Sequence, residues 1–261
     1  MPEISQRRPA NTGFRSIPAG GGIAPHWHEE HQIVYAGRGV LSVTTEAGSW
    51  VAPANRAIWV PAGTLHQHRA YGDTALHTIG LRQNPLGLDT PSALTVSPLL
   101  RELILAYTSD AGEDTGIRSD GAADRRPRHG TPGERRRLLA VLLDQLRRSP
   151  QRPTYLPAPR DPRLAAVCGL LENDPADNRT LTELGREIGA SERTLSRLCK
   201  TKLGMTFPQW RTELRLHHAL RLLADGESVT RVAHQCGWAS TSAFIDTFRR
   251  AYGHTPGSRS A

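Results

Sequence analysis

In the second half of the chain apolar residues recur every three or four positions, whereas in the first half they come in short runs separated by glycine, proline and asparagine. The first rhythm is that of amphipathic helices, the second that of a small antiparallel β structure. Ile33–Tyr35, Leu41–Val43 and Ile58–Val60 predict strands within Ile17 to Leu81. Helices are predicted over Pro98 to Tyr107, where Leu99, Leu103 and Ile104 share a face, and over Arg135 to Arg148, where Leu139, Leu142, Leu143 and Leu146 do. These two helices either pair across a dimer or cover one side of the N-terminal half.

Near the C-terminus the helical rhythm is written twice. Leu184, Gly189, Ser191, Leu195 and Gly204 in the stretch Leu181 to Phe207 fall on Val232, Gly237, Ser240, Phe244 and Gly253 in the stretch Val229 to Pro256. The offset is 48 residues up to the first glycine and 49 beyond it, so one inserted residue in the turn explains the difference. Each copy is broken once by a glycine, which suits the left-handed end of a helix, and a serine follows that can cap the next helix. The reading is helix, tight turn, helix. Two copies of so short a unit make a pair of compact motifs, not a solenoid.

The segment between the copies, Thr206 to Ala224, has no glycine, and its single proline, Pro208, suits a first turn. It predicts one helix of about 28 Å at 1.5 Å per residue. Successive major grooves on one face of B-DNA lie roughly 34 Å apart. A strut of that length can set two recognition helices into adjacent groove segments. One helix-turn-helix also occurs in bundles that never meet DNA; the doubling is what favours nucleic acid.

Length and charge refine this picture. A chain of 261 residues has room for about two domains. The net charge of +8 is uneven: −2 over residues 1–117, +7 over 118–160 and +3 over 161–261. A basic middle segment adds salt-sensitive attraction to any DNA, so the DNA reading rests on the repeat. Tyr107 to Gly133, rich in Gly, Asp, Ser and Arg, reads as a mobile loop, and Ser149 to Pro162, with five prolines, as a semi-rigid connector. No apolar run is long enough to span a membrane or to direct secretion, so a cytoplasmic location and no membrane partner are expected. Cys168, Cys199 and Cys236 are an odd set that reads as core filling.

The segments LTELGREIGASERTLSRLCKTKLGMTFPQWR and VTRVAHQCGWASTSAFIDTFRRAYGHTPG resemble the C-terminal domain of AraC/XylS transcription regulators. Ser258-Arg259 departs from the aromatic-Arg pair common there. The resemblance implies that Arg193, Ser196 and Arg197 in the first motif, and Thr241, Ser242, Ile245 and Asp246 in the second, face bases. Arginine suits guanine O6 and N7, a carboxylate accepts from cytosine N4, and an apolar group packs on the thymine methyl. For Asp246 an ion pair with Arg249 or Arg250 stands as the alternative. Lys200, Lys202, Arg249 and Arg250, at the helix ends, are assigned to phosphate, which positions without specifying sequence.

In the N-terminal half, His26-Trp27-His28 precedes the first apolar run and Pro61 to His66 follows a later one. Residues two apart on a strand share a face, so His26 and His28 point together, and an imidazole from a neighbouring strand can join them. Gly20, His26, His28, Gly39, Pro61, Gly63 and His66 resemble in spacing the two motifs of the cupin barrel. Gln32 stands where the family has a glutamate, and Ala70 where it has an asparagine. Three histidines can hold zinc, nickel, copper or iron without the carboxylate; the other reading is a pocket whose histidines bind a ligand by hydrogen bonds. His68 and His31 add polar groups nearby, and Trp27, Trp50 and Trp59 supply either a pocket wall or core.

The expectation is an α+β chain: a cupin-like β-barrel binding an effector over residues 1–96, helices flanking a basic loop over 97–148, a proline-rich linker over 149–162, and a double helix-turn-helix DNA-binding domain over 163–261. The resemblances imply a one-component transcription regulator, activator or repressor, and not an enzyme. It would be switched by a small molecule or metal at His26, His28, Gln32, His66 and His68. No cofactor is required, although a divalent transition metal fits the N-terminal half. Double-stranded DNA is the expected partner, with homodimerisation left open and RNA polymerase added if the protein activates. The rival readings are a metal-dependent cupin enzyme fused to a DNA-binding domain, and a DNA binder that needs no effector.

Overall fold

The computed structural model describes residues 6–109, 131–152 and 155–258. Most of the expected basic loop, and Arg259, lie outside them. The chain divides into two compact units, Met1–Val43 with Ala52–Pro153, and Thr44–Val51 with Thr154–Ala261. In chain order the strands are β1 (Gln6–Arg7), β2 (Gly13–Ile17), β3 (Gly22–Trp27), β4 (His31–Thr45), β5 (Gly48–Ala52), β6 (Arg56–Val60), β7 (His66–Leu81), β8 (Ser92–Thr95), β9 (Gln151–Arg152) and β10 (Tyr155–Pro157). The helices are α1 (Pro98–Ser109), α2 (Pro132–Arg147), α3 (Pro162–Asn173), α4 (Leu181–Ile188), α5 (Glu192–Leu198), α6 (Phe207–Ala224), α7 (Val229–Gln235) and α8 (Thr241–Tyr252). None is long and apolar enough to cross a membrane among the described residues.

In the first unit the sheet runs β1-β3-β7-β4-β6-β8-β9, and β2 pairs with β7. Ile33, Tyr35, Trp59 and Ile79 from the strands form one core with Leu100 and Ile104 of α1 and Leu142 and Leu146 of α2. Burying such side chains contributes roughly 1.5–3 kcal/mol each. Of the two roles open to these helices, covering the sheet is the one seen here. α2 begins on a capping box in which Thr131 accepts from the Glu134 amide while the Glu134 carboxylate accepts from the Thr131 amide.

Ile33–Tyr35 and Leu41–Val43, expected as separate short strands, belong to the single fifteen-residue strand β4. The glycines between them do not make a turn. Gly39 takes a φ of +76° within the strand, where a Cβ would lie 2.5 Å from Thr74 Oγ1, so a residue with a side chain fits neither the backbone nor the neighbour. The proline-rich stretch also differs from a plain connector: it contributes β9, paired with β8, and β10, paired with β5 through Tyr155↔Trp50.

The second unit holds α3 to α8. Leu184, Leu195, Leu198, Trp210 and Leu214 are buried together, with Cys168 and Cys199 among them. All three cysteines are buried and free. Both motifs form with the caps their sequences predict: α4 ends on Gly189 at φ 71°, Ser191 accepts from the Thr194 amide, and Ser240 accepts from the Ala243 amide. After α5 the chain continues through a wide helical turn, Cys199–Leu203. The joining helix α6 spans 18 residues, about 27 Å, and opens on a Thr206–Gln209 capping box.

The turn of the second motif is tied to that strut. Arg215 of α6 donates through Nη1 to the Gly237 carbonyl at 2.9 Å and through Nε to the Pro175 carbonyl at 2.9 Å. Gly237 has a φ of +75°, and a Cβ there would come within 2.7 Å of the Ala176 Cα, so both backbone and space require glycine.

Candidate nucleic-acid interface and histidine cluster

On α5, Leu195 and Leu198 turn into the core, which leaves Arg193 and Arg197 exposed and Ser196 half-buried. On α8, Phe244, Phe248 and Tyr252 are buried, Ser242 and Asp246 are exposed, and Thr241 and Ile245 are half-buried. All the residues expected to face bases therefore lie off the packed stripe of their helix. Lys200 and Lys202 are exposed in the wide turn, Arg249 and Arg250 in the last turn of α8.

The ion pair weighed for Asp246 is present: its carboxylate accepts from Arg249 Nη2 at 3.4 Å, both groups exposed. Such a pair is worth roughly 0–1 kcal/mol and yields readily to a better donor. Arg250 donates to Thr247 Oγ1 at 3.2 Å. Ser196 and Lys200 line one concavity with Thr180, Glu192, Thr206 and Arg211, where the first turns of α4 and α6 open. Arg211 lies over the Phe207 ring at 4.5 Å. Sequence reasoning missed Arg211, which stands near the start of the strut and outside both motifs.

The histidines of the first unit converge. His26 in β3 is in register with His66 at the start of β7, and His28 follows one residue past the end of β3. His26, His28, His66 and His68 are all 5 % exposed or less. Ring centroids are 4.3 Å apart for His26 and His66, 5.0 Å for His28 and His66, and 5.0 Å for His66 and His68. Nδ1 of His26 meets the Ala24 carbonyl at 2.9 Å, that of His28 the Glu30 carbonyl at 2.5 Å, and that of His66 the Thr64 carbonyl at 2.8 Å. A carbonyl only accepts, so each Nδ1 carries a proton and Nε2 is the ring nitrogen left to serve as a ligand. That is how metal-ligating histidines are commonly oriented.

Ligand nitrogens of His26, His28 and His66 lie within 4.8 Å of one another, and Nε2 of His28 and of His66 is buried with no hydrogen-bond partner. These donors fit a divalent transition metal, which would take the three Nε2 atoms. Both ring nitrogens of His68, and Oε1 of Gln32, are likewise buried without partners. Burial lowers His26, brings His66 down to about 4 and holds His68 well below the usual range. These imidazoles are therefore neutral at pH 7, the form in which histidine binds metal.

His31 is not part of the cluster. Its ring stacks on Trp59 at 5.1 Å, and its Nδ1 accepts from the Ala62 amide at 3.1 Å. Trp59 is core, its indole donating to the Leu88 carbonyl, and Trp50 stacks on Tyr155. The apolar wall beside the histidines is instead Pro9, Phe14, Ile23 and Leu76, with Arg8 and Arg15 on the same cavity. Sequence reasoning missed all six; four of them, Arg8, Pro9, Phe14 and Arg15, lie on or beside β1 and β2, which reach the site only through long-range pairing with β3 and β7.

Two family models match: a helix-turn-helix domain over residues 184–259 and a cupin domain over residues 13–80. The HTH-type transcriptional regulator NimR of Escherichia coli is 32% identical over 233 residues, covering 89% of this chain and 80% of its own length. The HTH-type transcriptional regulator RipA of Corynebacterium glutamicum is 42% identical over 101 residues, 39% of this chain and 30% of its own length. Among solved structures, an AraC-type transcriptional regulator from Chromobacterium violaceum is similar with a TM-score of 0.35 and 30% identity, covering 36% of this chain and 86% of its own. The chain belongs to the AraC/XylS family of DNA-binding transcription regulators and carries a cupin domain in its N-terminal half.

Proposed function

We propose that the protein is a one-component regulator in which a small effector or divalent transition metal binds at His26, His28 and His66, beside His68 and Gln32, and alters how the C-terminal half holds DNA. The observation that supports this best is the histidine cluster. Three imidazoles commit Nδ1 to backbone carbonyls and leave Nε2 lone pairs converging in a buried space. Leaving buried polar atoms unmatched costs roughly 1–3 kcal/mol per group, a cost a bound ligand removes. Such a ligand shifts the protein between arrangements only by its difference in affinity for them.

In this reading residues 1–96 sense, 97–148 carry the flanking helices, 149–162 connect and 163–261 read DNA. Arg193, Ser196 and Arg197 of α5, with Thr241, Ser242, Ile245 and Asp246 of α8, face bases. Lys200, Lys202, Arg249 and Arg250 hold phosphates. The regulator works in the cytoplasm, and RNA polymerase is a further partner where it activates. Exposed Leu99 (55 %) and Val141 (47 %) on the outer faces of α1 and α2 support a homodimer contact there.

The test is a comparison of full-length protein with a His26→Ala, His28→Ala, His66→Ala variant on DNA selected from a random pool, with zinc or chelator present. Zinc should change the affinity of the original protein and leave that of the variant unchanged, while both footprint the same site. A variant that responds like the original removes the sensor reading.

A further inference from the structure

The cavity leading to the histidines encloses about 190 Å³, below the roughly 300 Å³ at which drug-sized ligand pockets begin. Its inner end is made by His26, Gln32 and His68, each at most 5 % exposed, and its walls include Phe14, Ile23 and Leu76. Arg8 and Arg15, both exposed, stand at its edge. Among the described residues lining it there is no aspartate or glutamate.

Charge balance at this end is unusual. A divalent ion held by His26, His28 and His66 brings two positive charges, and neither Gln32, which stands in place of a glutamate, nor His68 beside it supplies a negative one. Burying an uncompensated charge is costly, so the missing negative charge has to come from what enters the cavity. Two arginines at the edge favour the approach of an anion and disfavour a cation, and the aromatic and aliphatic walls suit an apolar body behind the charged group.

We propose that the cavity binds a small organic carboxylate, whose headgroup supplies the negative charge that Gln32 lacks and whose apolar body lies along Phe14, Ile23 and Leu76. This rests on the metal-holding sensor described under Proposed function and adds the chemical class of its ligand.

Full-length protein loaded with zinc is titrated calorimetrically with carboxylates from acetate to cyclohexanecarboxylate, and with the matching amides. At least one acid should bind saturably and about tenfold or more tighter than its amide, because the charged headgroup makes the stronger bonds. Gln32→Glu, which places a carboxylate on the ion, should hold zinc more firmly and lose most of that preference. Equal affinity for acid and amide, no saturable binding of any acid, or an unchanged preference in Gln32→Glu overturns the proposal. Should that variant not fold, Arg8→Ser combined with Arg15→Ser serves instead: weaker acid binding at unchanged zinc content supports the proposal, and unchanged acid binding overturns it. Zinc content measured by equilibrium dialysis separates the two readings. A chain that keeps no zinc loses both, whereas one that keeps zinc but shows no acid preference loses only the carboxylate.

Discussion

His26 of β3 stands directly across the ladder from His66 of β7, with 4.3 Å between ring centroids. Register pairing thus brings together two imidazoles forty residues apart in sequence, and the carbonyls of Ala24 and Thr64 each engage the Nδ1 of one ring. A ligand that binds only the folded chain stabilises it, by about 2.7 kcal/mol at a hundredfold excess over the dissociation constant. Zinc should therefore raise the melting temperature of the protein, and a chelator should reverse the rise. His66→Ala should lose the effect; a melting curve indifferent to zinc would rule out the metal.

Outside the cluster another buried histidine, His77, gives the N-terminal unit a separate acid sensitivity. Its Nδ1 meets Thr108 Oγ1 at 2.7 Å, and burial, helped by the charge of Arg101, lowers its pKa to about 4. The folded state therefore binds fewer protons than the unfolded one between about pH 6.5 and 4. The stabilisation is complete above the unfolded value and is lost as pH falls through the folded one, about 3 kcal/mol in all. Urea unfolding at pH 7 and pH 4.5 should show stability falling with acid, and His77→Gln should flatten part of that fall. An equal fall in both proteins would mean that other groups carry it.

Some of this architecture is written locally and some is not. The two motifs are legible because their signals, a 3.6-residue rhythm, a glycine at the turn and a serine cap, act within a few residues. The histidines are legible because their spacing survives even with Gln32 in the acidic position. Three features depend instead on pairings between distant segments: Arg8 and Phe14 at the cavity, Arg215 on the turn of the second motif, and the fusion of two apolar runs into β4. The Asp246–Arg249 pair is local, yet Arg249 and Arg250, three and four residues on, are both within helical reach of Asp246, and only side-chain geometry distinguishes them.

Lys202 is exposed in the wide turn after α5, and the role proposed for it is a phosphate contact rather than a base contact. Lys202→Ala should weaken binding to all duplexes alike and reduce the slope of log affinity against log salt by about 0.9, the share of one released counterion. Titrations of cognate and scrambled DNA over a range of salt measure both effects. A change in the ratio between the two DNAs would make Lys202 a base reader.

Arg197 makes the opposite prediction. It is exposed one turn beyond Arg193 on α5, while Leu195 and Leu198 between and beside them fix the helix to the core. In the proposed reading its guanidinium, a fork that matches guanine O6 and N7, makes a bidentate contact to one base pair, which truncation would remove while leaving the phosphate contacts in place. Arg197→Ala should cost roughly 1–3 kcal/mol on the selected site and almost nothing on scrambled DNA. Selection from a random pool should then return sites relaxed at one position and unchanged elsewhere. Because Arg197 is solvent-exposed and lies off the packed stripe of α5, the melting temperature of the free protein should stay where it was, which separates lost reading from lost folding. An unaltered selected sequence would place the base contact on another residue of α5, with Arg193 the next to test.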